Sequence, residues 1–336
     1  MVMLMQETIR YMIPMMLVAL AGVYAERSGI INLALEGIMV IGAFACAMFL
    51  RMFQEMGVFG EMHQLSIIVG LLIAGGMGAV FSSLLSYAAI RWKADQTISG
   101  TALNMIAPAL VLFIAAALFQ QEKITVKTSP ASWCMIWVDI EGEGFFQDVG
   151  RILLQKTYIT SFIGIAIFII LSIVLYKTKF GLRLRSCGEH PQAAGSLGIN
   201  VNMMRYIGTT ISGALAGIGG YTFSLTIVNG SATGEVAGFG FLALAIMIFG
   251  NWKPGNIALV SFLFGLLKCI SATFDSIDIN GDGIFALKQL SDNSAFFSPY
   301  LYKILPFLAT LIVLAFTSKK SRAPKAEGIP YDKGMR

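Results

Sequence analysis

The 336-residue chain is poor in charge and in the side chains that carry most enzyme chemistry: 13 % of its residues are charged, and it has two histidines and four cysteines. With 56 % apolar residues and a mean hydropathy of +0.74, so little charge excludes an ordinary soluble domain. His63 and His190 are far apart, and neither H-E-x-x-H nor G-x-S-x-G occurs, which argues against an integral-membrane enzyme. No G-x-x-x-x-G-K-[ST] is present either, so the chain has no P-loop to cradle ATP phosphates. Cys46 and Cys269 lie in apolar runs and read as small buried hydrophobes, with Cys134 and Cys187 in polar segments. The absence of C-x-x-C spacing removes a redox or metal pair.

What the chain has in abundance is apolar length. Runs near the ~20 residues that cross a bilayer recur at Ile9–Ala25, Ile30–Leu50, Leu65–Ile90, Ile98–Phe119, Tyr158–Tyr176, Tyr206–Val228, Ile257–Phe274 and Tyr300–Thr317. Phe239–Phe249 is too short for a simple span and reads as a half-helix or a tilted one. The expectation is an all-α polytopic membrane protein of eight to ten passes with broken or re-entrant segments. The first run does not read as a cleaved signal peptide: Glu7 and Arg10 precede it and no small-residue cleavage site follows.

The net charge of +5 is informative by position rather than as a nucleic-acid signal. Arg91 and Lys93 close the third run, Lys177, Lys179, Arg183, Arg185 and Arg205 crowd one segment, and Lys319, Lys320, Arg322 and Lys325 follow the last run. The positive-inside rule puts all three clusters in the cytoplasm. The transmembrane domain then covers residues 1–318, with a cytoplasmic loop at 178–205, outer loops at 120–157 and 275–299, and a cytoplasmic tail at 319–336. The N-terminus falls outside unless Glu26–Gly29 lies at membrane depth.

Polar groups inside the apolar runs are candidates for a transport path. Asn32 and Glu36, four apart, would share a helix face, and a carboxylate at membrane depth faces a bundle interior, a wet cavity or a structural partner such as Arg27. Asn104 stands one turn before Pro108, which frees a backbone carbonyl, and is equally suited to an interhelical amide contact. Lys268 is placed to snorkel. The small-residue stripes Gly78, Ser82, Ser86 and Ser212, Ala216, Gly220 read as close helix packing. Asp278–Gln289 has the spacing of a calcium loop, with Asp278, Asn280 and Asp282 at positions 1, 3 and 5. Gln289 replaces the final carboxylate, so an Asn/Asp/Gly turn is the better reading and calcium the weak alternative.

Gly181–Tyr206, GLRLRSCGEHPQAAGSLGINVNMMRY, is a polar, basic segment between two apolar runs. Pro191 suits the first position of a short helix, Ala193 and Ala194 propagate it, and Gly198 can end it with a left-handed cap. Such a helix beyond the membrane suits a soluble partner. Two stretches resemble the permease subunits of ABC importers of the branched-chain amino acid and simple-sugar class. Glu26–Phe44, ERSGIINLALEGIMVIGAF, resembles the E-R-x-G-x-x-N-x-x-x-E-G signature of the nucleoside-type branch. Gly181–Gly220 resembles the G-x-x-x-R-x-x-G-x-x-P-x-A-A-x-x-x-G-I loop and the Gly-rich span after it. Asp95–Asn104, Gly238–Gly250 with Pro254, and Ala323–Tyr331 add to the likeness.

The resemblance implies a pore-forming subunit of the bacterial inner membrane, with its C-terminus cytoplasmic and nucleosides as the expected cargo. Simple sugars and branched-chain amino acids are the neighbouring substrates. Gly188, Glu189, His190, Pro191, Ala193, Ala194 and Gly198 would form the coupling helix that docks on a separate ATPase. That partner would carry the ATP and magnesium; this chain would hold no cofactor or metal. A second related permease would complete the pore, lined around Asn32, Glu36 and Asn104. An extracytoplasmic substrate-binding protein or lipoprotein would deliver the substrate, with membrane lipid around the assembly and no nucleic acid. An ion-coupled secondary transporter is the alternative of another class; it would not need the coupling segment.

Overall fold

In lipid a backbone without water must satisfy its own N–H and C=O groups, and long apolar runs do so as helices. The computed structural model describes residues 2–57, 64–138, 140, 144–274, 299–317 and 322–332. Four helices open the chain: α1 (Val2–Ser28), α2 (Leu35–Glu55), α3 (Leu65–Ile90) and α4 (Gln96–Phe119). The connection that follows holds β1 (Ile124–Thr125), α5 (Pro130–Trp133), β2 (Met135–Ile136), α6 (Phe145–Leu154) and β3 (Thr157–Tyr158). Then come α7 (Ile159–Lys177), α8 (Lys179–Glu189), α9 (Pro191–Ser196), α10 (Val201–Thr226), β4 (Ser231–Ala232), α11 (Phe239–Phe249) and α12 (Pro254–Thr273). The last helix, Pro299–Thr317, is α13 here. The short strands pair antiparallel as β1 with β4 and β2 with β3.

Six of these helices, α1, α2, α3, α4, α7 and α12, are long and apolar enough to cross a membrane. Arg205 and the glycines of α10 dilute its apolar character, yet at 26 residues it has the length to span. α11 has 11 residues, about 16 Å at the helical rise, or roughly half the hydrocarbon thickness. The short Phe239 run is therefore a half-length helix.

Contacts at the helix ends sort the molecule into two poles. At one, the Gln6 amide donates to the carbonyls of Arg151 (2.7 Å) and Gln155 (2.8 Å), and Arg51 Nη1 donates to Gln121 Oε1 at 3.1 Å. At the other, Arg27 pairs with Glu189 (3.1 Å), Lys93 pairs with Asp332 (2.9 Å), and Trp252 Nε1 donates to Glu26 (2.5 Å). The described basic segments thus share one pole, with Glu26–Gly29 beside them, and the start of α1 lies at the opposite pole.

The core sits on α1 and α10. Residues Met15–Ala25 of α1 are buried throughout, whereas α4 turns apolar side chains such as Met105 (78 % exposed) outward. α10 meets α3 through Gly213 and Gly217 set against the Gly78 and Ser82 stripe, while its Ser212 and Gly220 turn to the 29–34 break and to α2. A Cβ on Gly78 would strike the Gly213 carbonyl oxygen, and one on Gly217 would strike that of Ala74. Backbones this close gain dispersion contacts that lipid cannot replace.

Candidate functional site

The apolar run from Ile30 to Leu50 is not one helix. α1 ends at Ser28, Gly29 takes φ +96°, and α2 begins only at Leu35. Asn32 therefore lies in the break and does not share a helix face with Glu36, which corrects the expectation from their spacing. Asn32 is fully buried: its Nδ2 donates to Ser212 Oγ at 2.8 Å, and its Oδ1 accepts from the Ala34 N–H at 3.1 Å. The second contact is the local Asx geometry that favours a turn over a helix.

The break is splinted by the start of α4. The Asp95 carboxylate caps that helix, accepting from the N–H groups of Thr97 and Ile98. The next residue, Gln96, accepts from the Ile31 N–H at 2.7 Å. About two turns further, Asn104 accepts from the Gly37 N–H at 2.7 Å and donates to the Leu33 carbonyl at 2.7 Å. Asn104 is thus an interhelical amide, holding the end of the break and the first turn of α2.

Glu36 stands just past the break and faces the first turn of α11. Its Oε1 accepts from the Gly238 N–H (2.9 Å); its Oε2 accepts from Gly240 (2.5 Å) and Phe241 (3.4 Å). A helix N-terminus at membrane depth exposes unsatisfied N–H groups and a partial positive charge, and the carboxylate meets both. The glycines make the approach possible: Gly238 takes φ +75°, and a Cβ on Gly240 would lie 2.5 Å from Glu36 Cα. Lys268 is half-buried. Its Nζ donates to the Ala237 carbonyl at 3.1 Å and lies over the Phe239 and Phe307 rings. Toward the α6 pole, a cavity of about 250 Å³ opens above this junction, with Lys123, Phe223, Thr233, Glu235 and Ala237 in its wall.

The polar segment before α10 is helical. α8 is capped by Thr178, whose Oγ1 accepts from the Gly181 N–H at 3.2 Å. α9 follows with Pro191 in its first turn, and Gly198 takes φ +83° beyond its end. His190, Ala193 and Gly198 are exposed at this tip, and Pro191 is half-buried. Ala194 is buried in a small cluster with Cys187 and Val201. Burial pushes the Cys187 thiol above its ordinary value. Gly188 and Glu189 belong to the base instead. A Cβ on Gly188 would meet the Arg27 carbonyl oxygen at 2.5 Å, and Glu189 pairs with Arg27. Leu182, Arg183, His190, Ala193 and Leu197 line an outward-facing groove of about 320 Å³ between α8 and α9, with Leu197 82 % exposed.

Sequence reasoning missed the buried charges beneath this tip. Arg205, counted with the basic segment, is 1 % exposed; its Nη1 donates to the Ile329 carbonyl at 2.9 Å. Glu327 lies near Glu26 and Arg27, and burial raises its carboxyl to about 7. The E-R pair at 26–27 was a signal for this site, but its partners are hundreds of residues away. The calcium-loop candidates Asp278, Asn280 and Asp282 lie outside the described residues, and among the described residues no group of three His, Cys, Asp or Glu converges for a metal.

Residues 4–314 match the family described as branched-chain amino acid transport system / permease component. The chain is 39 % identical to the nucleoside ABC transporter permease protein NupC of Lactococcus lactis over 96 % of its own length and 94 % of the relative's. It is 38 % identical to the guanosine ABC transporter permease protein NupQ of Bacillus subtilis over 98 % and 96 %. A more distant likeness, 24 % over 78 % of this chain and 70 % of the relative, is to the Lactococcus lactis nucleoside ABC transporter permease protein NupB. No solved structure gives a significant match.

Proposed function

Because the chain belongs to the branched-chain amino acid transport system permease family, we propose that it is the membrane-spanning subunit of an ATP-driven importer of nucleosides. The observation that carries the substrate is near-full-length similarity at 38–39 % to two permeases named for nucleosides or guanosine. The geometry that favours external drive is α9, a six-residue helix held beyond the span ends with a groove open beside it. A chain without a P-loop takes its energy from an ATPase subunit seated on that tip, where ATP and magnesium are bound. His190, Pro191, Ala193, Ala194 and Gly198 form the contact, and Gly188 and Glu189 brace it against Arg27.

The basic pole faces the cytoplasm and carries the tail, and the α6 pole faces outward in the inner membrane. A second permease completes the pore. Likeness of this chain to both NupC and NupB, two permeases of one organism, supports a related but non-identical partner. Asn32, Glu36 and Asn104 serve the path by fixing the two broken helices around which it opens and closes, and a binding protein supplies substrate from outside.

The test is co-purification of the chain from its own membrane, followed by reconstitution with the ATPase that accompanies it. ATP-dependent uptake of labelled guanosine or uridine, competed by nucleosides and not by glucose or leucine, is the expected result. Competition by sugar or leucine alone moves the substrate to the neighbouring classes. Uptake by the chain without ATP makes it an ion-coupled carrier.

A further inference from the structure

Residues 322–332 are docked against the basic pole and touch several of its elements. Arg322 N–H donates to Asn251 Oδ1 at 3.1 Å, in the turn between α11 and α12. Ala326 N–H donates to the Gly188 carbonyl at 2.9 Å, in α8. Gly328 N–H donates to the Gly29 carbonyl at 3.2 Å, at the entry to the break between α1 and α2. The guanidinium of Arg205, set against Gly29, holds the Ile329 carbonyl. Tyr331 packs with Cys187, Ala194 and Val201, and its hydroxyl lies close over Gly195 of α9. Asp332 receives Lys93 through its carboxylate and the Gln192 amide of α9 through its carbonyl (2.9 Å each).

We propose that residues 322–332 are a transmission strap that ties α9 to the 29–34 break, so that displacement of α9 reaches the interruption below Glu36. The inference rests on the reading of α9 as the site where the ATPase acts. α9 has six residues and one buried side chain, Ala194, too small a footing to move α1 and α2 on its own. The strap adds one polar link, Gln192 to Asp332, and the Tyr331 ring on the α9 side, and backbone pairing to Gly29 on the other. Between them stands Arg205, a positioning residue. Among the described residues its Nε and Nη2 have no hydrogen-bond partner, and Ile329 is the group that orients it. A path of this kind is rigid and continuous, which is what carries coupling between distant sites when one of them has two arrangements.

The experiment uses the complete transporter, reconstituted with its ATPase, and reads nucleosides imported per ATP hydrolysed. Three chains are compared: full length, ended after Ser321, and ended after Ile329. The last keeps the Gly29 and Arg205 contacts and, among the described residues, removes those made by Tyr331 and Asp332, so the loss is confined to the α9 end of the strap. The expected result is assembly and ATP hydrolysis near the full-length level, with transport per ATP reduced at least about fivefold, the low end of measured site-to-site couplings. An unchanged ratio in the chain ended after Ile329 overturns the strap. So does a proportional loss of hydrolysis and uptake, which marks a purely structural tail. Full-length protein without ATP-driven uptake overturns the coupling reading instead, and that failure is seen before any variant is compared.

Discussion

A side-chain amide has donors and an acceptor, and Asn104 commits both kinds to the backbone of another helix. Removing it leaves the Gly37 N–H and the Leu33 carbonyl without a partner where no water competes. Each such group costs about 1–3 kcal/mol. Asn104→Ala is expected to lower the melting temperature of the purified protein clearly, while Met105→Ala, one position along and facing outward, leaves it near wild type. Equal melting of the two variants would remove Asn104 from the splint. Glu36 follows the same logic with a charge. That Asn32, Glu36 and Asn104 mattered was legible, because polar groups in apolar runs need a reason to be there. Their roles were not, since the partners Ser212, Gly238, Gly240 and Leu33 are ordinary residues whose distinction is position.

At the scale of elements, the pairing of α3 with α10 depends on what glycine omits. Gly217→Leu forces the helices apart, an overpacking cost of about 1–3 kcal/mol in a span that has no hydrophobic drive to recover it. A Cβ on Gly76, also in α3, would meet nothing within 4 Å among the described residues, so Gly76→Ala should be neutral or stabilise by up to about 1 kcal/mol. Thermal unfolding of both variants in one detergent decides it, and similar losses for the two would refute close packing as the cause. The stripes themselves were visible in the sequence at four-residue spacing. The half-length of α11 was visible too, because 11 apolar residues cannot span. What the spacing misread was the break: Ile30–Leu50 is apolar enough for a helix, but Gly29 and the Asn32 turn interrupt it.

For the whole molecule, the proposed sidedness rests on where the charges gather. All four cysteines are buried, so an added surface cysteine would be read against a silent background. Trp137→Cys, at the α6 pole, should react with a membrane-impermeant maleimide on intact cells, and Trp92→Cys, beside Lys93 at the basic pole, should react only after the membrane is opened; these sites are 65 % and 70 % exposed. The reverse pattern would invert the assignment. The sequence by itself determined the class of the molecule, because apolar length forces helices and the basic clusters choose a side. It also marked the family, through local motifs whose residues are contiguous. Only the tertiary structure decided that Glu36 caps α11, that Arg205 is buried under the tail, and that the tail touches both α9 and Gly29. Those contacts join residues up to 300 positions apart, such as Gly29 and Gly328, and such pairings are set by packing in three dimensions, to which helical periodicity is blind.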